Sequence, residues 1–143
     1  MSLFRSVFLD SESGSQLVWS ENLKAYEEDL ARLMDAGGPF SAVVEGYSDR
    51  PMQLEMAQAI ARAIIRCETF VAEAGTGTGK TFAYLVPALM WGGKVIISTG
   101  TRNLQDQLFF RDIPTVRKAL ASPVTVALLK GRSNYVCRLH LAR

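Results

Sequence analysis

From position 20 to about 36, apolar side chains return at intervals of three and four: Leu23, Tyr26, Leu30, Leu33 and Met34. That period predicts an amphipathic helix, stopped by Gly37 and Gly38. Residues 1–19 carry no such period, and "DSESGS" reads as a mobile loop. A turn at "GYSDRP" leads to a second helical pattern from Pro51 to about Arg66. Pro51 suits a first helical turn, where a missing N–H costs no bond. Leu54, Ala57, Ala61, Ile64 and Ile65 form its inward face.

Beyond Arg66 the period changes. "TFVAEA", "KVIIST" and "VTVALL" are short apolar runs that read as buried strands. Between them lie a helix from Gly79 to about Trp91 and a helical stretch from Arg102 to about Leu120, which Pro114 is expected to break. Strands alternating with helices predict an α/β fold with a parallel sheet flanked by helices.

The loop between the first strand and its helix changes the picture most. "AGTGTGKT", Ala74 to Thr81, fits the pattern small-x-x-x-x-Gly-Lys-Ser/Thr of a phosphate-binding loop, with Ala74 where glycine is usual. Gly75, Gly77 and Gly79 can adopt backbone angles that turn successive N–H groups into one concavity. Thr76 and Thr78 complete the loop and are counted among its nucleotide-binding residues. The helix that follows adds its positive end. Lys80 supplies a point charge for the β- and γ-phosphates, and Thr81 a hydroxyl for Mg²⁺. These residues predict a nucleoside triphosphate and Mg²⁺ as ligands.

Composition adds limits. The 143 residues suit one domain, and no apolar run approaches the ~20 residues of a membrane span. The N-terminus lacks the pattern of a secretory signal, and Cys67 and Cys137 make no disulfide framework. A cytoplasmic protein without a membrane partner is expected. Cys67 reads as a small buried apolar residue. Residues 1–50 are net −5 and residues 51–143 net +7, and no acid follows Asp112. The basic half could neutralise a phosphate backbone or could simply be a solvated face.

The flanks of the loop carry a family resemblance. "RPMQ", "EAGTGTGKT", "STGTRNLQDQL" and "KGRSNYVC" occur in the order found in superfamily-two helicases of the XPD-like, iron–sulfur type. Within that type the chain resembles the bacterial DinG group, including its YoaA branch. The resemblance implies that Gln53 pairs with the adenine edge, with Tyr47 and Arg50 near the base. It implies that Ser98, Thr99, Thr101 and Arg102 touch single-stranded DNA, with Lys130 and Arg132 supplying basic groups. Thr99 or Thr101 could instead cap the helix that follows. Cys137 matches the first ligand of a 4Fe–4S cluster, whose other three cysteines are not in this chain.

The expected whole is therefore the front of a RecA-like first helicase lobe. Residues 1–50 lead into it, 51–130 carry the loop and DNA motif, and 131–143 begin an iron–sulfur domain. The implied activity is ATP-driven DNA unwinding, 5′ to 3′, in repair or replication. This chain lacks the acidic metal-binding motif and is expected to bind nucleotide without appreciable turnover. Exposed strand edges lead to an expectation that the segment is ordered as part of something larger or self-associates. A small phosphate-loop kinase and a non-catalytic nucleotide-binding module are the alternatives.

Overall fold

The structure, a computed structural model, describes residues 16–141. The "DSESGS" segment lies outside the described residues. Helix α1 spans Gln16–Met34, a short α2 Pro39–Val43, α3 Pro51–Arg66 and α4 Lys80–Trp91. Helix α5, Arg102–Gln107, runs through a π turn, Leu108–Asp112, into α6, Ile113–Leu120. A 3₁₀ turn at Arg132–Asn134 and α7, Arg138–Leu141, follow.

Local chemistry accounts for most of these boundaries. Pro51 and Pro39 stand in the first turns of their helices, where no N–H is needed. Gly92 ends α4 in the left-handed region. Helix α1 begins earlier than its apolar period indicated and ends at Met34. The α2 turn carries no period long enough to be seen in sequence.

The core is helical. Leu30, Phe40, Ala57, Ala61, Ala83, Leu85, Val86 and Val116 are wholly buried. Helix α3 packs most extensively on α4. Ala57 and Ala61 on one helix and Ala83 on the other are small enough to let two backbones come close. Phe40 fills the end of this layer, with ring centroids 5.6 Å from Phe82 and 5.8 Å from Tyr47. Pro87 lies inside α4 and is buried. Its carbonyl accepts a hydrogen bond from the Tyr26 phenol of α1, and burial pushes that phenol well above its usual range.

The parallel sheet expected from the sequence is not formed. Among the described residues there is no β-strand. Residues 68–75, 94–99 and 122–130 form neither helix nor strand, and no backbone hydrogen bond joins any two of them. A strand is completed by a neighbour about 4.8 Å away, and none of these segments has one. The second and third lie instead against helices on one side. Ile97, Val124 and Val126 pack onto the core, while the alternate residues Val71, Ile96 and Leu129 are exposed. The period of two is thus real, but it records one covered face rather than a ladder.

Two further expectations are corrected. Pro114 does not break its helix. The π turn takes in an extra residue just before it, so the chain stays helical from Arg102 to Leu120. The Thr115 hydroxyl donates to the Arg111 carbonyl at 2.7 Å, within that adjusted stretch. Cys67 is exposed rather than buried, because it ends α3 in the left-handed region at φ 53°.

Candidate nucleotide and nucleic-acid site

The loop from Ala74 to Thr81 joins an extended segment to the first turn of α4. Gly77 and Gly79 have φ of 78° and 79°, the left-handed region that glycine tolerates without strain. Among the described residues none accepts from the amides of Gly77, Gly79 or Lys80. Those N–H groups sit where α4 begins, so the helix dipole adds to them. The Thr78 hydroxyl donates to the Gly75 carbonyl at 3.0 Å and stiffens the bend.

The Lys80 ammonium lies on the loop itself. It donates to the carbonyls of Ala74 at 2.7 Å and Gly75 at 2.5 Å. An ammonium has three protons, so one remains after these bonds. The arrangement keeps the positive charge beside the amides that form the concavity.

Gln53 and Arg50 bind the loop from below. Gln53 is buried, and its Nε2 donates to the Gly79 carbonyl at 2.8 Å. Arg50 Nη1 donates to the Gly77 carbonyl at 2.6 Å. Helix α3 therefore clamps both positive-φ glycines. Gln53 Oε1 has no hydrogen-bond partner among the described residues although it is buried. Such an acceptor suits a donor such as an exocyclic amine. Tyr47 is tied elsewhere: its hydroxyl donates to the Met34 carbonyl at 2.8 Å. Its pKa is raised, first by burial and then by Asp49, with Arg50 opposing. This clamping role of Arg50 and Gln53 was missed from sequence, since its bonds span 27 and 26 residues.

A second cluster forms at the start of α5. Thr101 is the cap: its Oγ1 accepts from Leu104 N at 3.2 Å. Thr99 Oγ1 donates to the Thr101 carbonyl at 3.2 Å. Ser98 and Arg102 are exposed beside them. Gln105 Nε2 donates to the Leu129 carbonyl at 2.8 Å, which fastens α5 to the third extended segment. That bond brings Lys130 and Arg132 to the same end of the helix. Lys130 pairs with Asp106 at 2.7 Å, so its charge is partly committed, and Arg132 is exposed. Arg102 reaches Ser133 Oγ at 3.4 Å. The structure thus gathers the predicted DNA-side residues into one polar surface, with Thr101 spent on capping.

Cys137 is exposed and unbonded, as is Cys67. A cluster of four thiolates cannot be built from two cysteines, so the chain's own residues do not fit an iron–sulfur group. No helix among the described residues is long and apolar enough to cross a membrane.

The glycine loop, its Arg-Pro-x-Gln clamp and the Thr-rich turn before α5 all lie within one family match. The DEAD/DEAH box helicase family model matches residues 50–135, and the chain belongs to that family. It is similar to the ATP-dependent DNA helicase YoaA of Haemophilus influenzae, 54% identical over 112 residues, covering 78% of this chain and 18% of that protein. YoaA of Escherichia coli is 56% identical over 100 residues, 70% of this chain and 16% of that protein. The ATP-dependent helicase DinG of Mycobacterium tuberculosis is 46% identical over 100 residues, 64% of this chain and 15% of that protein. The chain therefore spans less than a fifth of the length of these relatives. No solved structure matches it.

Proposed function

We propose that this chain binds ATP with Mg²⁺ at Ala74–Thr81 and contacts single-stranded DNA through Ser98, Thr99, Arg102, Lys130 and Arg132. It does so as part of an ATP-dependent DNA helicase. The observation that carries the reading is the loop itself: Gly77 and Gly79 at positive φ, with the Lys80 ammonium held against the loop at the start of α4. Family membership supports it and sets the kinase alternative aside.

The roles follow from the chemistry. The loop amides and Lys80 hold the β- and γ-phosphates, and Thr81 Oγ1 would be the protein's ligand to the metal. The metal, when bound, neutralises phosphate charge. Gln53 Oε1 is an acceptor toward the adenine amino group, while its Nε2 keeps hold of Gly79. The DNA-side residues position a backbone without reading bases.

Lys80→Ala removes the one cation of the loop. It should weaken binding of a fluorescent ATP analogue by at least about 100-fold, a loss consistent with a charge-assisted phosphate contact. Affinity equal to that of the unaltered chain would refute the nucleotide reading. The sequence has no paired Asp-Glu motif after an apolar run, and the chain alone should bind nucleotide without DNA-stimulated phosphate release.

A further inference from the structure

Tyr135 stands 56% exposed just beyond the 3₁₀ turn at Arg132–Asn134. Its ring is open to water, yet the side chain is held at its tip. The phenol oxygen accepts from Lys130 N at 3.0 Å, five residues back along the chain. At its other end, Tyr135 N donates to the Arg132 carbonyl at 3.1 Å. Asn134 stiffens the turn between them: its backbone N and its Nδ2 both donate to the Gly131 carbonyl, at 2.9 and 3.0 Å. A ring fixed at both ends has little rotamer freedom left to lose when a ligand lies on it.

Its surroundings are basic. Arg102 reaches Ser133 of the same turn, and Arg132 is exposed one turn residue away from Ser133's far neighbour Asn134. The Gln105 bond to the Leu129 carbonyl ties this corner to α5. Lys130 spends its ammonium on Asp106, but among the described residues no carboxylate pairs with Arg102 or Arg132. No acid follows Asp112 in the sequence. A fixed aromatic face beside two uncommitted guanidinium groups offers charge for phosphates and a surface for a base. In a duplex the base faces are hidden in the stack, so such a surface suits an unpaired base.

We propose that Tyr135 is a stacking platform for one unpaired base of a nucleic-acid strand whose backbone Arg102 and Arg132 hold. The proposal rests on the reading of this surface as a single-strand site and adds to it a contact with a base face. Every base has such a face, so the strand is gripped without being read. The bond from Lys130 N keeps the ring beside the basic groups.

The test compares two strands of equal phosphate charge. The 143-residue chain is titrated by fluorescence anisotropy with a labelled oligothymidylate of about 12 nucleotides, and with an abasic strand of the same length. The unaltered chain should bind the oligothymidylate about tenfold more tightly, within what one stacked base contributes. Tyr135→Leu should abolish that preference, with affinity for the abasic strand and the salt slope unchanged. Tyr135→Phe keeps the ring but loses the bond to Lys130 N, and its preference should fall between the two. Equal affinity of the unaltered chain for both strands overturns the proposal and needs no variant; salt-sensitive binding would then still uphold the single-strand reading. A preference kept in full by Tyr135→Leu overturns it as well. So does a Tyr135→Leu variant that loses affinity for both strands in parallel, since that marks a role in shaping the turn alone. A Tyr135→Leu variant that keeps the preference and scatters light as a smaller particle assigns the ring to a protein contact instead. No salt-sensitive binding of either strand overturns the DNA reading itself and this inference with it.

Discussion

Gly79 meets two demands that no other residue type can satisfy together. Its φ of 79° is left-handed, and a Cβ added there would lie 2.0 Å from Gln53 Nε2. Gly77 has the same backbone requirement, but a Cβ there meets nothing within 4 Å. Gly77→Ala should therefore cost only the backbone term, about 1–2 kcal/mol. Gly79→Ala should cost more, because the buried amide must also give way. Adding Gln53→Ala should remove the steric part and leave the backbone part. Urea unfolding of the four variants, including Gln53→Ala alone, checks this; equal losses for the two glycine changes would contradict it. The glycines were legible in sequence because their requirement is local. The amide that crowds Gly79 comes from 26 residues away and was legible only as a candidate for a base.

At the scale of elements, the bond from Tyr26 to the Pro87 carbonyl joins α1 to α4 beside a helix-interior proline. Tyr26→Phe should lower stability by about 1 kcal/mol, the usual net worth of such a bond, read from the shift in urea midpoint. Tyr26 and Tyr84 also set an alkaline limit. Both phenols have raised pKa values in the folded chain, chiefly through burial. The neutral form is thus favoured by folding. That contribution is fully present below the unfolded phenol's ordinary pKa near 10. For Tyr84 it is lost as pH rises through about 12. Urea midpoints should fall between pH 10 and 12, and Tyr84→Phe should flatten part of the fall. The helix from Arg102 to Leu120 carries a lesson at the same scale. Pro114 forbids an ordinary turn, and the chain answers with a π turn rather than a break.

Over the whole molecule, helices cover one side of the segments at 94–99 and 122–130, and Val71, Ile96 and Leu129 stand exposed at 79%, 70% and 83%. Unpaired extended backbone with exposed apolar side chains favours association. Light scattering should give a mass above the 15.7 kDa monomer, and the double change Ile96→Lys, Leu129→Lys should move it toward the monomer. A clean monomer for the unaltered chain would contradict this. The charge asymmetry belongs to the same scale. Affinity for a single-stranded oligonucleotide should fall with salt in proportion to the phosphates neutralised, with a log–log slope near −0.7 for each. Arg132→Ala should reduce that slope by about one such step. Lys130→Ala should reduce it by less, because Asp106 already holds that ammonium.

The sequence by itself determined the helices with long apolar periods and the glycine-rich loop, and the family that its motifs resemble is the one the chain belongs to. Those features depend on bonds within four residues and on backbone freedom at single glycines, so they can be read where they stand. Tertiary structure decided the rest. Whether extended runs become a sheet depends on a partner brought from elsewhere in the chain, and here none is brought. The clamp of Gln53 on Gly79, the exposure of Cys67 at a left-handed cap, and the inward turn of Asp112 have the same origin. Each is settled by what packs beside a residue, which its neighbours in sequence do not specify.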